Sequence, residues 1–132
     1  MDERERKRWI TERLKHSLQA LALPARDQVR LLPDLVVKTD ELLLEFDHWR
    51  DCAVGNYHGE MTAAQLESLA VLDAHIALPS SVADRAAWDE SSLYSHLFWE
   101  ELRGLAIRAL NAFDWPQEIP PSYSHEYLRG KR

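Results

Sequence analysis

Apolar residues in this chain recur every three or four positions, and no stretch alternates with a period of two. That spacing lines up one face of a helix but would scatter the same residues over both faces of a strand, so it predicts an all-α chain. Four glycines and six prolines punctuate the pattern. They cut it into four main helices and one or two short ones. The expectation is a compact bundle, a single domain over residues 1–132, with an extended, proline-rich C-terminal tail. Residues 1–3 and 129–132 are expected to fray.

The first segment covers about residues 3 to 22, with Ile10, Leu14, Leu18 and Leu21 on one face and acid-first pairs at Asp2/Arg6 and Glu3/Lys7. A short helix over 24 to 32 opens on Pro24, uses Val29, Leu31 and Leu32 as its apolar side, and stops at Pro33. The third segment has the clearest pattern. Asp34 is its expected N-cap, and Leu35, Thr39, Leu42, Phe46, Trp49 and Ala53 form its stripe, widened by Leu43 and Cys52. It is expected to end at a turn, Gly55-Asn56-Tyr57-His58-Gly59.

Thr62-Ala63-Ala64-Gln65 spells a capping box ahead of Leu66, Leu69, Leu72 and Ile76. Leu78-Pro79 closes that helix, and a short turn of helix runs from Ser80-Ser81 to Trp88. The fifth segment is expected as one continuous helix over about 90 to 114, with Tyr94, Leu97, Phe98, Leu102, Leu105, Ala109 and Phe113 on its face. Ser91, Ser92 and Ser95 read as its capping residues. The tail packs through Ile119 and Tyr123.

Charge is uneven. The chain carries 22 acidic residues against 16 Lys plus Arg, a net −6. Residues 1–33 are net +3, residues 34–73 net −7. The third helix is therefore the acidic centre, and Asp40, Glu41, Glu45, Asp47 and Asp51 are the candidate contacts for a basic partner. The ordinary alternative is a solvated face, or one paired internally with the basic first helix. Arg4, Arg6, Lys7, Arg8, Arg13 and Lys15 do not make a nucleic-acid arm: Glu3, Glu5 and Glu12 interleave with them, and no nucleic-acid-binding motif is spelled.

Other chemistries were weighed. Glu45-Phe46-Asp47-His48 has the Glu-x-x-His spacing, but a carboxylate-bridged di-iron bundle needs it twice. Asp73-Ala74-His75 has the wrong spacing. His48, Asp51, His58 and Glu60 lie near one helix end and could do acid–base work if they converged. Cys52 follows the apolar stripe and reads as an inert thiol; as the single cysteine it precludes an internal disulfide. No nucleotide-binding loop or nucleophile elbow is present, so no cofactor and no metal is assigned. No apolar run is long enough to span a bilayer and no secretory signal is visible; the expected compartment is the cytoplasm.

Five tryptophans remain. Trp49 and Trp99 fall on core stripes, whereas Trp9, Trp88 and Trp115 lie near helix ends, with Trp88 the candidate anchor for a partner. Three readings follow. The first is a small acidic binding module that covers a basic protein, in the manner of an immunity protein or antitoxin. The second is a metal-binding or enzymatic helical bundle using Glu45, His48 and His58. The third is a structural or regulatory subunit that self-associates through the first helix, as a homodimer.

Overall fold

The computed structural model describes residues 2–77 and 88–122. Among them there are helices and turns and no strand. The all-α expectation holds. The expected turn of helix leading to Trp88 and the docking of Tyr123 lie outside the described residues, apart from Trp88 itself.

Helix α1 spans Glu3–Ala22. Asp2 caps it, accepting from the Glu5 amide at 2.8 Å. Ile10, Leu14, Leu18 and Leu21 are all buried, as their spacing predicts. The helix stops because Leu23 precedes a proline and is extended (φ −68°, ψ 150°). One expected surface pair is replaced: Lys7 reaches Glu60 instead of Glu3, and Glu3 accepts from the Tyr57 hydroxyl at 3.0 Å.

Helix α2, Ala25–Leu31, buries Ala25 and Gln28, with Leu32 buried just beyond its end. Val29 and Leu31 are only half-buried, a correction to the expected apolar side. Helix α3 spans Lys38–Tyr57, with Val37 rather than Asp34 at the cap position. Asp34 lies before the helix and accepts from the ammonium of Lys38 at 3.1 Å. Leu35 consequently sits outside the helix and is 57% exposed. Thr39, Leu42, Phe46, Trp49 and Ala53 are buried as expected.

At its other end α3 does not break at Gly55. It runs to Tyr57 and continues as a single 3₁₀ turn, His58–Glu60. The glycine-rich spelling is overridden by the docking of Tyr57, which is buried, bonded to Glu3, and covered by the Lys7 ammonium 5.7 Å from its ring centre. Helix α4, Ala63–Ile76, opens on the complete capping box of Thr62 and Gln65.

The expected fifth helix is two helices, α5 (Ser92–Ser95) and α6 (Leu97–Ala112). His96 between them is extended (ψ 132°), and its side chain caps α6 by accepting from the Phe98 amide at 3.1 Å. The serines therefore do not cap the long helix; Ser92 bonds back to the Asp89 carbonyl, the local competition that weakens helix continuity. The break turns Tyr94 and Leu97 outward, 59% and 62% exposed, against the expected stripe. Phe98, Trp99, Leu102, Ala106, Ala109 and Leu110 remain buried. Beyond α6, Ile119 is 63% exposed and Pro120 is buried in its place.

α1 packs on α3 and α6, and α4 packs on α6, so α1 and α6 form the centre of the bundle. That arrangement leaves one long side of α3 facing solvent.

Candidate functional site on helix α3

Val37, Asp40, Leu44, Asp47 and Asp51 step by three and four residues along the outer side of α3, and all are exposed. Leu44 is 56% exposed in the middle of this strip. Arg50 stands beside it. Its Nη2 contacts Asp51 and lies 3.9 Å from Asp47 Oδ1 and 3.6 Å from Asp73 Oδ1 on α4. Three carboxylates thus surround one guanidinium, and the strip stays net negative. The Arg50 Nε is buried with no hydrogen-bond partner among the described residues.

Glu41 and Glu45 follow Asp40 and Leu44 by one residue, which turns them about 100° round the helix, toward α1. The five carboxylates of the sequence cluster therefore divide between two faces. Glu41 and Glu45 line a pocket of about 50 Å³ with Arg13, His16, Ser17 and Ala20 of α1. Leu31, Leu32, Leu42, Pro120 and Pro121 close its apolar sides.

Arg13, one of the basic residues of α1, does not lie on the solvated side of that helix. It is instead 6% exposed. Its guanidinium lies 4.9 Å from the centre of the Trp49 ring, and Nη2 is 4.0 Å from Glu45 Oε2. The same carboxylate oxygen accepts from the indole N–H of Trp49 at 2.8 Å. Burial next to an aromatic face suits a guanidinium, which is planar and weakly hydrated. No sequence signal marks this role except the i, i+4 placement of Glu45 and Trp49.

His16 Nε2 lies 3.2 Å from Glu12 Oε1. Burial pushes its imidazole below the ordinary value of 6.5 despite the pull of Glu12 the other way. Glu12 is itself held below the usual carboxylate range, first by its hydrogen bond from Lys15.

The remaining candidates are dispersed. Trp88 is half-buried, with its ring 6.3 Å from Phe98 and its carbonyl accepting from Thr39 Oγ1 at 2.7 Å. His48 lies edge-on to Trp49, 4.5 Å between ring centres, with Nε2 3.8 Å from Cys52 Sγ. His58 Nδ1 is 2.9 Å from the Val54 carbonyl of α3, and Glu60 pairs with Lys7. Glu45, His48 and His58 thus face different neighbours. Among the described residues no three His, Cys, Asp or Glu side chains group as a metal ion would require. Trp9 on α1 is 45% exposed and meets the Trp49 ring edge-on at 5.0 Å.

Fold and site define a class: an all-α bundle whose third helix carries an acidic outer strip and, a quarter-turn away, a mixed-charge pocket. Among the described residues no helix is long and apolar enough to cross a membrane. In comparisons with protein-family models, curated proteins and solved structures, nothing matches this chain.

Proposed function

We propose that the chain is a protein-binding module that docks a basic partner on α3, in the manner of an immunity protein or antitoxin that covers an enzyme. The observation that carries this reading is the strip itself. Leu44 and Val37, 56% and 59% exposed, lie among Asp40, Asp47 and Asp51. An apolar residue exposed at the centre of same-sign charges is the composition of a contact that is steered electrostatically and then desolvated. Trp88, near the start of α3, supplies an aromatic edge to that contact. A cytoplasmic setting accords with a single thiol, and nucleic acid and lipid surfaces are disfavoured as partners by the net charge of −6.

The test uses the full chain immobilised against the lysate of its host, eluted with rising salt. The expected partner is a basic protein. Replacing Asp40, Asp47 and Asp51 together by Asn is then expected to slow association about tenfold at low salt and to flatten its salt dependence. Unchanged association of the triple variant refutes the reading. The inhibitor version further requires that the partner's own activity falls on binding.

A second reading follows from Trp9, 45% exposed on α1. It is self-association through the N-terminal helix. Sedimentation of the wild type against Trp9→Ser decides it: an unchanged mass across the concentration range removes the homodimer.

A further inference from the structure

The outer strip of α3 has a register as well as a charge. Val37, Asp40, Leu44, Asp47 and Asp51 advance by three, four, three and four residues, the seven-residue repeat by which one helix packs along another. Thr39, Leu42, Phe46, Trp49 and Ala53 follow the same repeat on the inner face, and there they are buried in the bundle. The helix therefore carries two such stripes, and the outer one is uncovered. It runs about 21 Å along α3, with its two apolar positions about 10.5 Å apart. Its flank is low: Ala70 and Ala77, three residues before and four after the Asp73 that meets Arg50, are exposed on that side of α4. Its charge is not cancelled from within. One guanidinium, Arg50, is shared by Asp47, Asp51 and Asp73. Asp40 makes no ion pair among the described residues. Register and charge together choose the occupant. A second copy of α3 would set these aspartates against aspartate or leucine, never against a cation. An extended segment could answer the charge but not the seven-residue repeat.

We infer that the outer face of α3 pairs with a basic amphipathic helix of the partner, its apolar residues seven apart on Val37 and Leu44 and its cations on Asp40, Asp47 and Asp51. The inference rests on the docking reading and adds to it the form and register of the partner. The carboxylates guide approach and fix the register; the two apolar contacts are desolvated once the helices are aligned.

The probe is a capped peptide of about 18 residues, long enough to form a helix on contact. It carries Leu at the positions facing Val37 and Leu44, Lys at those facing Asp40, Asp47 and Asp51, and Ala or Gln elsewhere. It is made in both chain directions, because the repeat does not fix the sense of the pairing. Titrated into the full chain at constant ionic strength, one direction should give saturable amide shifts at Val37, Asp40, Leu44 and Asp47, with a gain in peptide helicity by circular dichroism. A scrambled peptide of the same composition should bind at least tenfold more weakly. Leu44→Ala, a change at an exposed site that suits a helix, should weaken binding about tenfold. Equal binding by the scrambled peptide, binding without added helicity, or no saturable binding in either direction would each overturn the inference. A peptide of this chain's residues 123–132 that binds the strip more tightly than the helical probes would overturn it too, giving the strip to a segment of the chain itself. The captured partner separates the two readings. Partner affinity untouched by the triple Asn variant refutes docking on α3. Partner affinity lost in that variant, yet untouched by Leu44→Ala and by excess helical peptide, refutes the helix alone.

Discussion

Two parts of the interior are built on different principles. Along the seam of α1, α3 and α6 the contacts are apolar, with Leu14, Leu18, Phe46, Trp49, Trp99 and Leu102 each at most 1% exposed. Where α1 ends and meets α2, α5 and the middle of α6, the buried groups are polar. Gln28 is fully buried, and its amide donates to the Ala20 and Leu21 carbonyls at 3.0 and 3.2 Å. Arg103 donates from Nε to the Leu23 carbonyl, and from Nη2 to Gln28 Oε1 at 3.1 Å and the Leu93 carbonyl at 3.2 Å. These two side chains satisfy the carbonyls at the C-terminal end of α1, a helix with no basic residue in its own last turn. Nearby, Lys38, 5% exposed, donates to the Val29 carbonyl at 2.7 Å and to Asp34. The seam can be assembled from shape and burial alone. The corner works only when every donor finds its carbonyl, so it fixes helix ends and chain path more than it adds area.

That contrast can be broken by mutation. Phe46→Ala is expected to cost the most, about 3–5 kcal/mol, because the side chain is fully buried and its removal opens a cavity in the core. Arg103→Met should cost nearly as much, about 3 kcal/mol, by leaving buried carbonyls unpaired instead of by opening a void. Arg103→Lys should rescue little, since an ammonium cannot reproduce the fork that holds Leu23, Gln28 and Leu93 together. Urea denaturation measures all three. The sharper comparison is a double-mutant cycle. Gln28→Leu with Arg103→Met should fall short of the summed single effects by about 1 kcal/mol, because both remove one network. Strict additivity there would show that the corner is a set of independent bonds.

The seam was legible in the sequence and the corner was not. Ile10, Leu14, Leu18 and Leu21 announce their face by spacing, and Thr62 with Gln65 announces a cap. Gln28, Lys38 and Arg103 look like ordinary surface residues, because each acts largely on backbone carbonyls, which carry no sequence signature. Periodicity also misled where it was extended past a helix end. Leu35, Tyr94 and Leu97 fit the stripes of α3 and α6 by number, yet the chain leaves the helix at Val37 and breaks at His96. At the candidate site the carboxylates were legible as a cluster. Their division between strip and pocket was not, since it depends on where α1 lies, and Arg13 was hidden because its burial is decided by Trp49 on another helix.

The pocket side of the seam has its own pH signature. Folding lowers the pKa of His16, chiefly by burial, so the unfolded chain takes up this proton more readily than the folded one. The contribution of His16 to stability is complete above its ordinary value of 6.5 and is lost as pH falls below that value through the folded pKa. Wild type should therefore lose urea resistance relative to His16→Gln between pH 8 and pH 5. Equal losses in the two proteins would mean that the imidazole is no more buried folded than unfolded.

The smallest expected effect is a gain, and it lies where α6 ends. The Trp115 amide bonds back to the Leu110 carbonyl at 2.9 Å and the Asp114 amide to Asn111 at 3.2 Å, the paired bonds of a Schellman ending. That ending places its penultimate residue in the left-handed region, and here the residue is Asp114, with φ 58°. Any residue with a Cβ is disfavoured there, an aspartate less than most. Its carboxylate also sits at the negative end of the helix dipole. Asp114→Gly removes both penalties while keeping the two backbone bonds, and should stabilise the chain by about 0.5–1 kcal/mol. Asp114→Asn separates the causes, because it removes the charge and retains the Cβ. If Asn recovers the whole gain, the penalty is electrostatic; if it recovers little, the backbone carries it. A loss of stability with Gly would mean that the Asp114 side chain contributes a contact outweighing both terms.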